Sequence, residues 1–251
     1  MCGRYVSSKT TGDLLAEFDA VDETGGGAGE PDYNVAPTTD IRIVVDRAPR
    51  EEREAQPVRQ LRVAHWGLVP SWAKDAGVGN RMFNARAESM TSKSAFTRAF
   101  AVRRCLVPAD GWYEWQKVEG PDGRPAKQAY FMNAPDGHSL GLAGLYEFWR
   151  PKDDEQAPWL VSATILTVAA QGPLADIHPR MPLVLPRSDW PRWLDPMQPG
   201  PQELLQPRDE VVQEHLELRP VSSRVNRVSN NDPSLLEPAE QLPQAQELFR
   251  T

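Results

Sequence analysis

Short apolar runs, broken by turn residues, fill most of the chain. β-Branched and aromatic side chains recur in segments bounded by Gly, Pro, Asn and Asp, which favour turns. This pattern is typical of short strands in antiparallel sheets, and the 24 prolines also disfavour long helices. The segments that we predict as strands are 41–46, 61–70, 104–115, 128–133, 140–149, 160–169, 181–186 and 216–222.

Helical patterns are fewer and shorter than strand patterns. In residues 7–20, Thr10 and Asp13 match a capping box at the start of an apolar stripe, so we predict a helix there. Residues 91–101 and 188–195 are predicted as short outer helices. This mixture of elements predicts an α+β fold of antiparallel sheets with short peripheral helices.

The sequence contains no internal repeat and no clear linker. Its 251 residues suit one large domain, which we place at 2–236 with Met1 removed, followed by a tail at 237–251. The glycine-rich residues 23–31 are predicted as a flexible loop, because they lack the strand and helix that flank a phosphate-binding glycine motif.

Composition disfavours several classes of protein. The longest apolar run, 160–170, is far shorter than the ~20 residues of a membrane span, and the N-terminus lacks the features of a secretory signal. The two cysteines, Cys2 and Cys105, do not make a disulfide framework, so we expect a reducing, cytoplasmic compartment, with Cys105 in the core. No histidine has metal-ligand spacing to a cysteine, so no metal site is expected.

Charge is distributed unevenly along the chain. The net charge of −7, taken alone, argues against binding to nucleic acid. Residues 80–104, however, contain six cationic side chains against the single carboxylate of Glu88, whereas 201–219 and 232–247 are acidic. A segregated basic face can bind phosphates, because charges interact over only ~8–10 Å at physiological salt. A basic face that only contacts solvent is the alternative.

Four polar residues lie among apolar neighbours: Cys2, Asn84, Glu114 and His178. Three of them have ordinary structural alternatives. In these alternatives, Asn84 is a cap or turn residue, Glu114 is the exposed member of an alternating strand, and His178 is a loop histidine. Taken together, a cysteine, an amide, a carboxylate and a histidine are the parts of a nucleophilic site.

The position of Cys2 gives it chemistry that an internal cysteine lacks. Aminopeptidases remove Met1 when the next residue is small, which leaves Cys2 with a free α-amine beside its thiol. This amine has a pKa of about 7.7–8, so a useful fraction is neutral at physiological pH. An aldehyde forms a Schiff base with the amine, and the sulfur then closes on the imine carbon to give a thiazolidine ring. Cys2 is therefore predicted to trap aldehydes.

Seven motifs occur in order and cover residues 2 to about 236: MCGRY, YNVAPT, WGLVPSW, NARAES, RCLVPADGWYEW, IHPRMPLVL and VNRVSNNDP. Together they resemble the SRAP (SOS response-associated peptidase) family. The resemblance implies a barrel-like core of antiparallel sheets and a monomer without a cofactor. It also implies a DNA-damage function, in which the N-terminal cysteine forms a covalent cross-link with abasic sites in single-stranded DNA and strand cleavage is a side activity.

The resemblance also implies a role for each of the four polar residues. Cys2 becomes the cross-linking residue once Met1 is removed. Asn84 holds the Cys2 terminus and the sugar-derived chain, and Glu114 manages the proton of the α-amine. His178 is the general acid and base that opens the deoxyribose ring to its aldehyde.

Six further residues are implied to contact single-stranded DNA. Guanidinium groups would bind the phosphates that flank the lesion, and tryptophan rings would stack on bases or wedge at a junction with double-stranded DNA. A core position for any one tryptophan, and an ordinary surface position for Arg180, stay open as alternatives. The six residues are Arg4, Arg86, Arg180, Trp66, Trp72 and Trp115.

Two other functions stay open. A cysteine peptidase would use Cys2 as nucleophile and His178 as base, as the family name suggests, although no segment marks an oxyanion hole. A non-covalent module for single-stranded DNA would depend on arginine and tryptophan and not on Cys2. His65 departs from the family pattern and is interpreted as a surface residue or as a second titrating group near the DNA channel.

Overall fold

The computed structural model describes residues 2–27, 30–48, 55–120, 122–208 and 216–240. Its strands are β1 Tyr5–Ser7, β2 Val21–Asp22, β3 Asp32–Val35, β4 Asp40–Arg47, β5 Val58–Trp66, β6 Asn84–Arg86, β7 Arg104–Ala109, β8 Gly111–Glu119, β9 Pro125–Asn133, β10 Leu140–Trp149, β11 Leu160–Ala169, β12 Arg180–Pro182, β13 Val184–Leu185 and β14 Glu217–Val221. Its α-helices are α1 Thr11–Phe18, α2 Ser94–Val102, α3 Leu174–Ile177 and α4 Trp190–Leu194. The predicted α+β class, with mostly antiparallel sheets and few short helices, is confirmed.

Two sheets share the strands. The smaller has the order β14-β9-β8-β1-β3, and the larger the order β12-β11-β10-β7-β4-β5-β2. In the larger sheet β11 pairs with β10 on one side and, in parallel, with β5 on the other, so that β5, β4, β7, β10 and β11 form a closed ring. This ring is the feature that the resemblance implied as a barrel-like core.

Most predicted elements are present, with shifted bounds. The capping box of α1 is confirmed, since Thr10 accepts a hydrogen bond from the backbone of Asp13 and Asp13 accepts one from the backbone of Thr10. The strand predicted at 61–70 was too long, because β5 ends at Trp66. Gly67 has φ of 152°, and a Cβ there would lie 2.6 Å from the carbonyl oxygen of Gly79. The chain therefore turns where the apolar pattern continues.

The faces of β8 divide the apolar residues into two clusters. Trp112 packs into the large core inside the ring, whereas Tyr113 and Trp115 pack into a second cluster with Val225. This is the alternation expected of a strand with both faces covered. Glu114 lies on the same side of β8 as Trp112, which directs its carboxyl group toward the core.

Two pairings bring distant segments to one end of β11. β6 runs parallel to β11, with Asn84 opposite Ile165 and Arg86 opposite Thr167. β12 runs antiparallel to β11, with Arg180 opposite Ala169. The motifs around 84 and 180 therefore meet at the end of one strand.

The predicted domain boundary at 236 stays a prediction. Within the predicted tail, Ala239 donates a backbone hydrogen bond to the carbonyl of Pro220 at 2.9 Å, so the described part of the tail contacts the end of β14. Met1 and residues 241–251 lie outside the described residues. Among the helices that are described, none is both long and apolar enough to cross a bilayer.

Candidate active site

Cys2 lies immediately before β1 and is fully buried. The amide nitrogen of Asn84 donates a hydrogen bond to the Cys2 carbonyl oxygen at 2.7 Å. Burial raises the pKa of the Cys2 thiol well above its usual range, and the nearby charge of Glu114 raises it further. The thiol is therefore protonated at neutral pH, and the backbone that carries it is fixed by β6.

Glu114 is buried in the middle of β8, with 4 % of its surface exposed. The alternative that it is the exposed member of an alternating strand is therefore wrong. Burial raises the pKa of its carboxyl group to about 7. A carboxyl group that titrates at this pH can both accept and return a proton under physiological conditions.

His178 follows α3 directly, and its Nδ1 lies 3.9 Å from Oε1 of Glu114. The same Nδ1 lies 2.8 Å from the carbonyl oxygen of Arg180 and 3.1 Å from the backbone nitrogen of Arg180. The backbone of Arg180 therefore holds the ring in either tautomer, as acceptor when Nδ1 carries the proton and as donor when it does not. Burial lowers the pKa of His178, so the imidazole is largely neutral at physiological pH. A neutral imidazole beside a titrating carboxyl group can act as acid or base.

Two arginines lie at the end of β11. The Arg180 guanidinium donates two hydrogen bonds to the Glu88 carboxylate, at 2.7 and 3.0 Å, and a further one to the carbonyl of Thr167. The Arg180 side chain is only 17 % exposed, so it is not an ordinary surface charge. Arg86 is exposed on the neighbouring strand. This end of β11 therefore presents guanidinium groups beside the Cys2 site.

Arg4 and Trp115 lie on the other side of β8 from Glu114. The Arg4 guanidinium donates to Oδ1 of Asn34 at 2.7 Å and to the carbonyl of Val225 at 2.9 Å. Trp115 donates from Nε1 to Oδ1 of Asn226 at 2.7 Å. Both side chains thus hold the C-terminal segment against the small sheet. Their contact with DNA stays a prediction, which this placement does not favour.

Trp66 and Trp72, the other two tryptophans implied to contact DNA, differ sharply in exposure. Trp66 is fully buried, and its Nε1 donates to the carbonyl of Phe83 at 2.8 Å. Because Phe83 directly precedes Asn84, Trp66 supports the strand that holds Cys2 and has no free face for a base. Trp72 is 54 % exposed in the loop after β5, so its ring can stack on a DNA base. His65 is partly exposed, 3.9 Å from Asp40.

Two contributors to the site were not assigned a role from the sequence. Asn34 donates to the carbonyls of Val225, Arg227 and Asn230, which ties the YNVAPT motif to the VNRVSNNDP motif. Thr167 contacts Arg180 from an apolar-looking strand. Asn34 could have been found from the sequence, because it lies in the YNVAPT motif. Thr167 could not, because no local pattern distinguishes it from its neighbours in the strand. In the described part of the chain, no group of three His, Cys, Asp or Glu residues could hold a metal ion.

Similar proteins cover nearly all of the chain. Abasic site processing protein YoqW of Bacillus subtilis (strain 168) is 33% identical over 240 residues, which cover 94% of this chain and 99% of that protein. Abasic site processing protein HMCES of Rattus norvegicus is 31% identical over 244 residues, covering 84% of this chain and 66% of that protein.

A solved structure supports the same fold. A protein from Bacteroides thetaiotaomicron matches with a TM-score of 0.79 at 21% identity, over 95% of this chain and all of that one. The profile of the family described as SOS response associated peptidase (SRAP) matches residues 1–228. With relatives above 30% identity along most of its length and a family match over nine-tenths of it, the chain belongs to the SRAP family.

Proposed function

We propose that this protein processes abasic sites in DNA damage by forming a covalent thiazolidine cross-link between Cys2 and the ring-opened sugar in single-stranded DNA. The observation that carries the proposal is the grouping of Asn84, Glu114 and His178 around the Cys2 end of β1. The names of the similar proteins, abasic site processing proteins, agree with it. Cleavage of Met1 is required, because the Cys2 nitrogen is otherwise an amide.

The reaction begins with release of the aldehyde. An abasic sugar is mostly a closed hemiacetal, and His178 transfers the proton that opens it. The Cys2 amine then adds to the carbonyl carbon, and loss of one water gives the imine. Glu114 takes a proton from the α-ammonium so that the nitrogen lone pair can attack.

Ring closure completes the cross-link. The Cys2 sulfur bonds to the imine carbon, the C=N double bond becomes single, and the thiol proton passes to the nitrogen. Overall one water is lost and no oxidant is needed. The imine nitrogen is the base that takes the thiol proton as the sulfur attacks, so the raised pKa of the thiol does not prevent closure. Closure also removes the imine that would otherwise promote β-elimination and strand cleavage.

The peptidase alternative is less well supported by the site. A thiol nucleophile of that kind acts as a thiolate, which requires a lowered pKa. Burial and Glu114 instead raise the pKa of Cys2. A non-covalent module for single-stranded DNA would not depend on the buried contacts around Cys2. Mass spectrometry distinguishes it from the covalent function, because only the covalent function gives an adduct.

Intact-protein mass spectrometry tests the proposal. Wild-type protein lacking Met1 is incubated with single-stranded DNA that carries one abasic site, a tetrahydrofuran analogue without an aldehyde, or no lesion, and is then heated and denatured. We expect a DNA-sized adduct, one water lighter than the sum of the parts, with the abasic site alone. The absence of an adduct with correctly processed protein would overturn the covalent function.

Glu88 occupies the position at Arg180 where a DNA phosphate would bind. Glu88→Gln is expected to raise affinity for single-stranded DNA by up to about fivefold, because an ion pair with an exposed carboxylate contributes ~0.2–1 kcal/mol. Fluorescence anisotropy at fixed salt measures the change. Glu217→Gln is the matched control, since Glu217 pairs with Arg219 at 2.8 Å on β14. Weaker binding by Glu88→Gln alone would instead show that Glu88 orients Arg180 for DNA.

A further inference from the structure

We propose that Gln116 is a positioning residue that fixes His178 against Glu114 by holding the end of α3. The inference deepens the proposed function and rests on it for the role of His178. Gln116 lies two residues after Glu114 on β8, so both side chains are on the same, buried face of the strand. Gln116 is 9 % exposed and Glu114 is 4 % exposed.

Gln116 connects two elements through hydrogen bonds. Its Nε2 donates to the carbonyl of Asp176 in α3 at 3.1 Å. Its Oε1 accepts a hydrogen bond from the hydroxyl of Tyr130, on the neighbouring strand β9, at 3.2 Å. Tyr130 is 6 % exposed, so the whole connection is buried. A buried hydrogen bond of this kind is directional and costly to leave unmade.

The short helix α3 does not have a fixed orientation without contacts to other elements. α3 has four residues, and no side chain caps its start. One helical turn is unstable in isolation, since nucleation costs more than its hydrogen bonds return. Leu174 and Ile177 bury the helix against the core, but apolar contact is non-directional and leaves rotation about the helix axis loosely defined. The hydrogen bond from Gln116 to the Asp176 carbonyl is directional, and it fixes the rotation of α3 about its axis.

His178 begins where α3 ends. Its backbone nitrogen donates to the carbonyl of Leu174 at 3.0 Å, so rotation of α3 moves the imidazole directly. Glu114 and Gln116, which holds the helix before His178, both lie on β8. The contact of Nδ1 with Arg180 on β12 holds His178 from the other side, so its position relative to Glu114 depends on both strands.

Charged and titratable groups approach the imidazole from three elements. They are the Glu114 carboxyl group from β8, Arg180 from β12 and the positive charge of the chain terminus that precedes β1. Without the Gln116 bond the imidazole gains water and moves relative to Glu114. We therefore expect the pKa of His178 to rise toward its ordinary value, since burial is the main cause that lowers it. We also expect the cross-linking rate to fall by about ten- to a hundredfold, the cost of misplacing a reacting group by ~1 Å.

Gln116→Met tests this role, because methionine keeps the shape of the side chain and removes both hydrogen bonds. Gln60→Met is the matched control, since Gln60 is a buried glutamine on β5 whose amide donates to the carbonyl of Arg47 at 3.5 Å. Cross-linking rate against pH, affinity for DNA with a tetrahydrofuran lesion, and the His178 pKa by NMR are measured for each. Tyr130→Phe, which removes one supporting hydroxyl, serves if Gln116→Met does not fold.

We expect Gln116→Met to bind DNA within about twofold of wild type but to cross-link slowly, with a raised His178 pKa and a shifted pH profile. Tyr130→Phe should shift the same quantities less. The inference is overturned if the His178 pKa and pH profile stay at wild-type values, or if Gln60→Met changes them equally. Failure of wild type itself to cross-link would refute the proposed function, while the NMR titration would still decide whether Gln116 positions His178.

Discussion

Cys2→Ala protein is expected to form no heat-stable adduct with abasic single-stranded DNA. Alanine is also small, so Met1 is still removed and the free α-amine is retained. The amine can therefore still form an imine, but no sulfur closes the ring. The imine either hydrolyses or undergoes β-elimination, which predicts weak strand cleavage in place of cross-linking. Denaturing gels with and without borohydride distinguish these fates, because borohydride traps only the open imine.

Two controls separate the thiol from the amine. Protein with extra residues before Cys2 keeps the thiol but converts the amine to an amide, and it should form no adduct under either condition. Cys105→Ala removes the other buried cysteine, whose Sγ lies in the core beside Gly144, and should cross-link like wild type. A heat-stable adduct of wild-type yield on Cys2→Ala would exclude the thiazolidine mechanism.

Local patterns in the sequence predicted the elements better than their arrangement. Runs of apolar, β-branched and aromatic residues marked β10 and β11, and the Thr10 capping box marked α1, because these signals depend on neighbours along the chain. The single strand predicted at 104–115 is in fact two, β7 and the first half of β8. The parallel pairing of β6 with β11 joins segments about eighty residues apart and leaves no such signal. That pairing places Asn84 on the Cys2 backbone, so the grouping of the site followed from the family resemblance and not from periodicity.

Side-chain direction was the part least accessible from the sequence. Trp66 and Trp72 lie in one motif, yet one is in the core and the other is exposed, because β5 ends between them. Arg4 is equally cationic whether it contacts DNA or, as here, backbone carbonyls near Val225. The partner of Arg4 is 221 residues away along the chain, and the motif that contains Arg4 does not indicate that partner.

Glu114→Gln is expected to slow cross-linking by about a hundred- to ten-thousandfold, the range for loss of a general acid or base. In wild type the carboxylate accepts the proton of the Cys2 α-ammonium, so the rate should rise with pH through the Glu114 pKa of about 7. Glutamine cannot titrate, so the variant should lose this inflection and retain those of His178 and of the amine, the latter at about 7.7–8. Single-turnover rates from pH 5 to 9 measure both profiles.

The same substitution is expected to stabilise the protein at high pH. Burial raises the Glu114 pKa from 4.5 in the unfolded chain to about 7 in the fold, so wild-type unfolding free energy should fall by about 3 kcal/mol as pH rises through that window. Glu114→Gln lacks this fall and should resist urea better than wild type at pH 8. Glu147→Gln is the control, because Glu147 is also buried but pairs with Arg103 at 2.8 Å, and its loss should destabilise the fold without slowing cross-linking. A Glu114→Gln protein that is less stable at pH 8 and keeps the wild-type pH profile would show that the carboxylate is structural. A slow but more stable variant would show that the fold retains a destabilising group for its chemistry.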